Sequence, residues 1–363
     1  MKFSIDKMQL AYAAWVAGKI IATAAQGDSK YIYIFAENDS VAFFARTSEG
    51  NSAEVCIKTE VAEGGSVATD AKLFGALAEK VYGDTITLED DGNTIKISHD
   101  GGEVRAPNIP NAVVPKFATD TDKAFTVNYE AFKNTVKAAA SFCAKDESRP
   151  QLRGIHLSTV SGGNALIAEG CDGIRMARLV TKLTEPAAID LNSIVPATGL
   201  QLICALANGT DDIDIGTNKK RNTIIFRQGD LTLQLVTYAG KYIDTDRIIP
   251  KTHNSVVTVN KAELERSLEL LAVSVEKNTN SRIGFDATEL PLKLSATAQN
   301  SKVDERLRCV IDGKPVKLYM NCRHLLDILN CLKGDDVNLQ FVTERTPIIV
   351  GEGDNIFLTM PFN

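Results

Sequence analysis

The chain has 363 residues, with 46 acidic against 40 basic side chains and a formal net charge of −6. This length is enough for two or three domains of ordinary size, and the acidic balance argues against indiscriminate nucleic-acid binding, which usually needs a basic domain. It leaves open a protein whose basic groups all line one inner surface. The hydrophobic fraction of 44% is normal for a soluble globular protein.

The ends and the cysteines point to an intracellular protein without disulfides. No apolar run is long enough to cross a bilayer, and Asp6 stands where a signal peptide would have its apolar core. We therefore expect a cytoplasmic, unprocessed chain. The seven cysteines are scattered and form no CxxC spacing, so neither a disulfide framework nor a zinc site is predicted.

One pattern occurs three times along the chain. Each copy opens with a short apolar/polar alternation that ends in Asp or Asn, at residues 3–6, 125–128 and 257–260. Each copy later shows a glycine, acidic residues and a second strand pattern, at residues 83–88, 209–215 and 334–339. A period well above about 50 residues is too long for a solenoid unit and fits a small domain.

Each third is predicted to be built on the same plan. Asp6, Asn128 and Asn260 are candidate N-caps of a first helix, and Gln9 and Glu263 complete capping boxes behind Asp6 and Asn260. Second helices are predicted at residues 69–77, 197–203 and 321–329. Each third is therefore two strand-helix-strand half-repeats, an α+β architecture with helices on one face of antiparallel sheet. Predicted domains are residues 1–122, 123–252 and 253–363, separated by polar connections.

Four segments in chain order carry a resemblance to a known family. Residues 145–154 are similar to a "DExRPxLxG" motif, 171–177 to "TDGHRLA", 240–250 to "GRFPDYxRVLP" and 360–363 to an "MPMR" tail. On these segments the chain resembles the bacterial DNA polymerase III beta subunit family, the processivity sliding clamps. A divergent bacterial lineage and a phage-encoded clamp both fit.

The first third is the most divergent part of this resemblance. Residues 110–115 are still similar to the family's "PAxDFP" turn, but residues 21–27 replace its usual "RPTLPIL" stretch.

The resemblance implies a fold and a mechanism. Three clamp domains per chain would pair head to tail with a second copy, giving a six-domain closed ring around duplex DNA, with sheets outside and helices lining the hole. The ring would hold DNA by topology, slide along it and tether the replicative polymerase, raising its effective concentration at the primer end during DNA replication. A clamp loader would be a further partner. No cofactor, metal or catalytic residue is expected.

The resemblance also implies three sets of functional residues, the first two of which are a DNA-channel set and a dimer-interface set. Lysines on helix faces would meet phosphates in transient, sequence-blind and salt-sensitive contacts, although an ordinary solvated helix face explains each of them too. The DNA-channel set is Lys19, Lys72, Lys80, Lys133, Lys137, Lys145 and Arg149. The dimer-interface set is Val104, Arg105 and Ala106 against Leu271, Ala272 and Val273; the alternative is a covered edge in a monomer.

The third set is an apolar cleft between the second and third domains, into which partners would insert a short peptide. Its positions here are Leu152, Cys171, Gly173, Ile174, Arg175, Met176, Ile243, Arg247, Ile248, Asn321, His324, Pro347, Leu358, Met360, Pro361 and Phe362. Plain core packing is the alternative for each. Ile174 replaces a usual His, Ile243 a usual Pro and His324 a usual aromatic, so the preferred peptide stays open.

An enzyme and a clamp-fold scaffold are the two alternative functions. An enzyme is disfavoured, because the four histidines lack HxxH spacing, no GxxxxGK loop occurs, and the acidic run at residues 89–91 fits a hairpin turn. A clamp-fold scaffold or decoy, which binds clamp partners without encircling DNA, remains the alternative because fold does not fix function.

Overall fold

The computed structural model describes residues 1–21, 30–109, 122–207, 209, 211–218, 222–275, 281–298 and 301–362. The described chain divides into two compact units. Unit 1 contains Met1–Lys133, Thr159–Asn164 and Leu183–Tyr238; unit 2 contains Asn134–Ser158, Ala165–Lys182 and Ala239–Asn363. The three-domain boundaries stay a prediction. Residues 110–115 and 22–27 lie outside the described residues.

All six predicted helices are confirmed, with ends shifted by a few residues. Those of the described chain are α1 (Lys7–Ile21), α2 (Ala71–Lys80), α3 (Tyr129–Ser141), α4 (Ala197–Leu206), α5 (Lys261–Ser274) and α6 (Cys322–Leu329). None of these described helices is long and apolar enough to span a membrane.

Strands make up most of the remaining described chain. In the first half they are β1 (Lys2–Asp6), β2 (Tyr31–Glu37), β3 (Ser40–Arg46), β4 (Ser52–Lys58), β5 (Val61–Glu63), β6 (Gly65–Asp70), β7 (Thr85–Asp90), β8 (Thr94–His99), β9 (Gly102–Pro107), β10 (Asp122–Val127), β11 (Gly154–Thr159), β12 (Ala165–Cys171) and β13 (Arg175–Lys182). In the second half they are β14 (Leu191–Pro196), β15 (Ile213–Asn218), β16 (Thr223–Gln228), β17 (Leu231–Val236), β18 (Ser255–Asn260), β19 (Arg282–Ala287), β20 (Leu292–Ala298), β21 (Ser301–Leu307), β22 (Cys309–Gly313), β23 (Val316–Asn321), β24 (Asp336–Phe341), β25 (Ile348–Glu352) and β26 (Asn355–Thr359).

The threefold sequence repeat is a structural repeat. The opening strand of each third pairs antiparallel with the strand that follows the second helix: β1 with β7, β10 with β15, and β18 with β24. In every copy the inward residues of the opening strand are buried, because successive side chains of a strand point to opposite faces. These residues are Phe3, Ile5, Phe125, Val127, Val257 and Val259.

The predicted N-caps are confirmed in all three copies. The Asp6 carboxylate accepts hydrogen bonds from the Met8 and Gln9 amides at 2.8 and 3.0 Å. The Asn128 and Asn260 side chains each accept from the amide three residues on, both at 3.1 Å. A single Asp or Asn therefore stands between each opening strand and its helix, as the last strand residue in the first and third copies and as the next residue in the second. It satisfies amides that the helix leaves unpaired.

The large sheets run across the predicted domain boundaries. In unit 1 the order is β10-β15-β16-β17-β4-β3-β2-β6, and β17 meets β4 with Leu233 opposite Ala53. In unit 2 the order from β11 is β11-β12-β13-β26-β25-β24-β18-β22, and β13 meets β26 with Met176 opposite Leu358. Sequence reasoning did not anticipate either junction.

Two smaller sheets complete the described fold, ordered β5-β1-β7-β8-β9 in unit 1 and β21-β20-β19-β23 in unit 2. Their edge strands include β9 and β21, which present unpaired backbone groups along one side. The helices pack onto the sheets: α1 against β3 and β4, and α5 against β20 and β21.

Replacing Asn260 with Ala removes the cap of α5. We expect the free energy of unfolding to fall by about 1 kcal/mol, measured by urea unfolding. Asn260→Ser is the matched control because Ser also caps. Equal losses in the two variants would contradict the capping role.

Candidate functional site

The segment 171–177 forms a tight turn between β12 and β13. The Asp172 carboxylate accepts hydrogen bonds from the Ile174 and Arg175 amides, both at 2.9 Å. Gly173 has a φ of +94°, and a Cβ there would lie 2.5 Å from a guanidinium nitrogen of Arg149, so only glycine fits the turn without strain. The turn presents Ile174, whose side chain is 53% exposed.

Arg175 is held by the chain itself. Its Nε donates to Asp172 Oδ2 at 3.0 Å, one terminal nitrogen donates to Asp327 Oδ2, and the other donates to the Ser141 carbonyl at 3.0 Å. The guanidinium also lies 5.3 Å from the Phe142 ring centroid. Burial acts to lower the pKa of Arg175, but the hydrogen bonds to Asp327 and Asp172 outweigh it and raise that pKa. Arg175 thus ties the turn to α6 rather than standing free.

The C-terminal strand lies directly beside this turn. The Met360 amide donates to the Ile174 carbonyl at 2.9 Å. On α6, His324 Nδ1 lies 3.2 Å from the hydroxyl of Thr359. Burial and, secondly, the nearby Arg175 charge lower the pKa of His324, which favours the neutral imidazole.

A cation–π group borders the last residues. The Arg282 guanidinium lies 4.0 Å from the Tyr319 ring centroid and 5.8 Å from that of Phe362, and the Phe362 amide donates to the Tyr319 carbonyl at 2.8 Å. Tyr319 is 49% exposed. Sequence reasoning missed Arg282, Tyr319 and Asp327. Asp327 lies 152 positions from Arg175, so no local pattern could have joined them.

Segment 239–249 carries three further predicted cleft positions, Ile243, Arg247 and Ile248, and includes a 3₁₀ turn at Thr245–Arg247. Ile243 is half-buried, and Ile248 is 36% exposed. Arg247 extends into solvent and its Nε lies 2.9 Å from Asp244 Oδ2. This segment therefore offers apolar and basic groups at the surface.

The predicted cleft positions fall into two classes by burial. Five side chains are buried and cannot contact a partner in this conformation; they are Leu152, Cys171, Met176, Leu358 and Pro361. The others are at least partly exposed; they are Gly173, Ile174, Arg175, Ile243, Arg247, Ile248, Asn321, His324, Pro347, Met360 and Phe362. Asn321 also caps α6, accepting from the Arg323 and His324 amides. The partner-contact role of the whole set stays a prediction.

The predicted DNA-facing side chains are at the surface. Lys19, Lys72, Lys80, Lys137, Lys145 and Arg149 are exposed, and Lys133 is partly exposed. Four of these have local partners. Lys80 pairs with Glu79 at 2.8 Å, and the Arg149 guanidinium donates to the Asp172 carbonyl at 3.1 Å. Lys19 and Lys133 lie 5.8 and 5.3 Å from the ring centroids of Trp15 and Tyr129. The six described helices contain nine basic and six acidic residues, whereas the whole chain has an acidic excess. The helices are thus the basic part of an acidic protein.

The predicted dimer-interface residues are divided between surface and core. On edge strand β9, Val104 and Arg105 are accessible, whereas Ala106 is fully buried. At the end of α5, Leu271 is fully buried and Val273 is 85% exposed. Ala272 is half-buried, and the neighbouring Leu270 is 48% exposed. The apolar surface at this helix end therefore consists of Leu270 and Val273.

Within the residues that the structure describes, no group of three or more His, Cys, Asp or Glu side chains could hold a metal ion.

Comparison with known proteins assigns the fold to a class. The chain superimposes with a TM-score of 0.89 on the DNA polymerase sliding clamp from Bacillus subtilis, at 19% identity and with 100% of this chain and 99% of that chain covered. A putative DNA polymerase III beta subunit from Eubacterium rectale gives a TM-score of 0.90 at 20% identity, with the same coverage. The fold is that of the DNA sliding clamps.

Sequence comparisons show which proteins the chain is similar to. Residues 246–359 match the family model described as DNA polymerase III beta subunit, C-terminal domain. The beta sliding clamp of Synechococcus elongatus is 25% identical over 311 residues, 83% of this chain and 82% of the relative. That of Staphylococcus epidermidis is 22% identical over 305 residues, covering 83% and 80%. Over residues 246–359 the chain therefore matches the DNA polymerase III beta subunit, and over most of its length it is similar to beta sliding clamps.

The lowered pKa of His324 predicts a pH-dependent stability. Below its ordinary value of 6.5 the unfolded chain binds a proton that the folded chain resists, so the stabilising contribution is present above that pH and is lost as pH falls. We expect His324→Gln to lose less stability than the parent protein between about pH 7.5 and about pH 5.5, measured by urea unfolding. His253→Gln, at an exposed histidine, is the control; identical pH dependence in His324→Gln and the parent protein would contradict the assignment.

Proposed function

We propose that this chain is a DNA polymerase processivity factor: a sliding clamp in which two copies close head to tail around duplex DNA and tether the replicative polymerase. The observation that carries the proposal is the likeness to sliding clamps over 100% of the chain, on a fold that repeats one ladder three times. The chain would act as an accessory subunit without chemistry of its own, in the cytoplasm where the chromosome is copied.

The charge distribution supports a DNA-facing helix surface. The helices hold a basic excess although the chain has a net charge of −6. Exposed lysines on α1, α2 and α3 would neutralise phosphates without reading sequence, and the acidic remainder would repel DNA from other surfaces. Weak contacts of this kind suit a ring that must slide.

The open sheet edges support head-to-tail closure. Strand β9 is an edge in unit 1 and β21 is an edge in unit 2, so backbone pairing between the two from different copies would continue both sheets. Leu270 and Val273 would add apolar contact at the same seam, since both are exposed at the end of α5.

The partly exposed cleft residues support binding of a short peptide from the polymerase or the clamp loader. Ile174, Ile243, Ile248 and Met360 offer apolar side chains, and Arg247 supplies an exposed positive charge beside Asp244. A few anchors of this kind carry most of the affinity in peptide recognition. The second candidate function is a scaffold that binds the same peptides. It differs from a sliding clamp only in that it does not close into a ring around DNA.

Topological loading separates the two candidates. The protein is loaded onto a nicked circular plasmid with the clamp loader encoded in the same genome, purified by gel filtration, and the plasmid is then linearised. A ring co-elutes with the circle and is released from the linear product. Failure to load, with peptide binding retained, would support the scaffold; retention on linear DNA would show that binding is not topological.

Reversing charge on α3 tests the DNA-facing surface. We expect Lys133→Glu/Lys137→Glu to shorten the lifetime of the loaded clamp several-fold at about 50 mM salt, with a smaller effect at about 200 mM, because phosphate contacts weaken with salt. Lys58→Glu/Lys182→Glu, at exposed strand positions, is the matched control. A lifetime that the α3 changes leave unaltered would remove these lysines from the DNA-facing surface.

Ile174 is the sharpest probe of the peptide site, because Met176 is buried and Arg175 has a structural role. We expect Ile174→Ala to weaken binding of a synthetic peptide from the replicative polymerase of the same genome by roughly tenfold, measured by fluorescence polarisation. Val310→Ala, which trims another exposed aliphatic residue at 66% exposure, should bind normally. Equal affinities for the Ile174 variant and the parent protein would count against the site.

A further inference from the structure

A buried carboxylate lies beneath segment 239–249. Glu169, in β12, is 3% exposed. Its Oε1 accepts hydrogen bonds from Arg178 Nε at 2.7 Å and from the Thr245 hydroxyl at 2.6 Å, and its Oε2 accepts from His156 Nδ1 at 2.8 Å. Three donors from three parts of unit 2 therefore converge on one carboxylate.

Arg178 extends this network onto the segment. Its two terminal nitrogens donate to Asp246 Oδ1 at 2.6 Å and to Thr245 Oγ1 at 3.1 Å. The Tyr242 hydroxyl donates to the Glu169 carbonyl at 3.3 Å, and the Tyr242 ring stacks on His156 with centroids 5.0 Å apart. Three residues of the segment, 242, 245 and 246, are thus fastened to β12 and β13.

The segment supplies one of the three hydrogen bonds that offset the cost of burying Glu169, the bond from Thr245. An ionised carboxylate inside a protein is unfavourable unless it is paired and hydrogen-bonded. Burial acts to raise the pKa of Glu169, but hydrogen bonds from His156 and Thr245 and the Arg178 charge outweigh it and hold that pKa below its ordinary value. If the segment moved away, the Glu169 carboxylate would lose its hydrogen bond from the Thr245 hydroxyl. The conformation in which segment 239–249 lies against Glu169 is therefore strongly preferred.

Within segment 239–249, the residues that bond to β12 and β13 are interspersed with the predicted partner contacts. Tyr242 and Thr245 are buried, whereas Ile243 is half-buried and Arg247 and Ile248 are exposed. The backbone that carries these partner contacts is therefore placed by its neighbours in the chain. Preorganising a binding segment lowers the entropy lost on association.

We propose that Glu169, Arg178 and Thr245 are positioning residues that form a buried ionic latch, holding segment 239–249 in its peptide-binding conformation. The latch touches no partner atom and acts only through Ile243, Arg247 and Ile248. This inference rests on the proposed peptide-binding function, and nothing in the family likeness assigns these three side chains a role.

Two variants open the latch. Glu169→Gln removes the charge, and Thr245→Val removes the hydroxyl at almost constant shape, so that the second variant serves if the first does not fold. Thr258→Val is the matched control, since the Thr258 hydroxyl donates to Asn338 Oδ1 at 2.7 Å in β18. Urea unfolding of each variant reports global stability.

Hydrogen exchange of the free protein tests the latch without any partner. We expect amides of residues 239–249 to exchange about tenfold faster in the latch variants, because local opening becomes easier, and to be unchanged in Thr258→Val. Unchanged exchange in Thr245→Val and Glu169→Gln overturns the proposal.

Peptide binding tests the consequence, with the same synthetic polymerase peptide. We expect Thr245→Val to bind about tenfold more weakly. Adding Ile248→Ala to Thr245→Val should then cost little, because Ile248 is already misplaced, whereas adding Ile174→Ala should keep its full effect. Full additivity with Ile248→Ala would contradict a positioning role, since a general loss of stability would not select one contact.

Different results would reject the peptide-binding site and the ionic latch. If the parent protein does not bind the peptide, the peptide site is rejected, and hydrogen exchange alone still decides whether the latch holds the segment. If the parent protein binds and neither latch variant alters binding or exchange, the latch is rejected and the peptide site stands.

Discussion

The rest of the structure depends on one antiparallel ladder, formed three times, between the opening strand of each third and the strand after its second helix. In the first and third copies the last residue of the opening strand also caps the following helix, and the first helical amide still belongs to the ladder. Lys7 N donates to the Asp84 carbonyl at 3.0 Å and Lys261 N to the Asp335 carbonyl at 2.7 Å. Sheet and helix are thereby joined without a flexible link. The helix face that carries the exposed lysines follows from this junction, because the buried stripe of the helix must lie on the sheet.

The strand junctions between thirds build the candidate partner site. Where β13 meets β26, Met176 and Leu358 form interior packing, and the turn at one end of β13 brings Ile174 beside Met360. Arg175 joins the same turn to α6 through Asp327. The candidate partner surface is therefore produced by pairing between segments far apart in the chain, while β9 and β21 remain edge strands with unpaired backbone groups.

Sequence reasoning was right about elements and less informative about burial. The caps at Asp6 and Asn260 were predictable because capping is a local preference of a few residue types. The burial of Met176 and Leu271 was not predictable from the sequence. An apolar residue has the same sequence signature whether it contacts a partner or packs in the core of its own chain. Glu169 shows the reverse: a carboxylate in a strand suggests solvent, yet donors from residues 156, 178 and 245 surround it.

The sequence by itself determined the α+β class, the threefold repeat, the helix starts and the likeness to sliding clamps, since each depends on residues close together in the chain or on ordered motifs. Only the tertiary structure decided which strands join neighbouring thirds, which cleft residues are exposed, and how Arg175 and Glu169 are neutralised. The reason is physical, because burial and ion pairing depend on partners that lie tens to hundreds of residues away. Local propensity carries no information about which of these distant side chains a residue will contact.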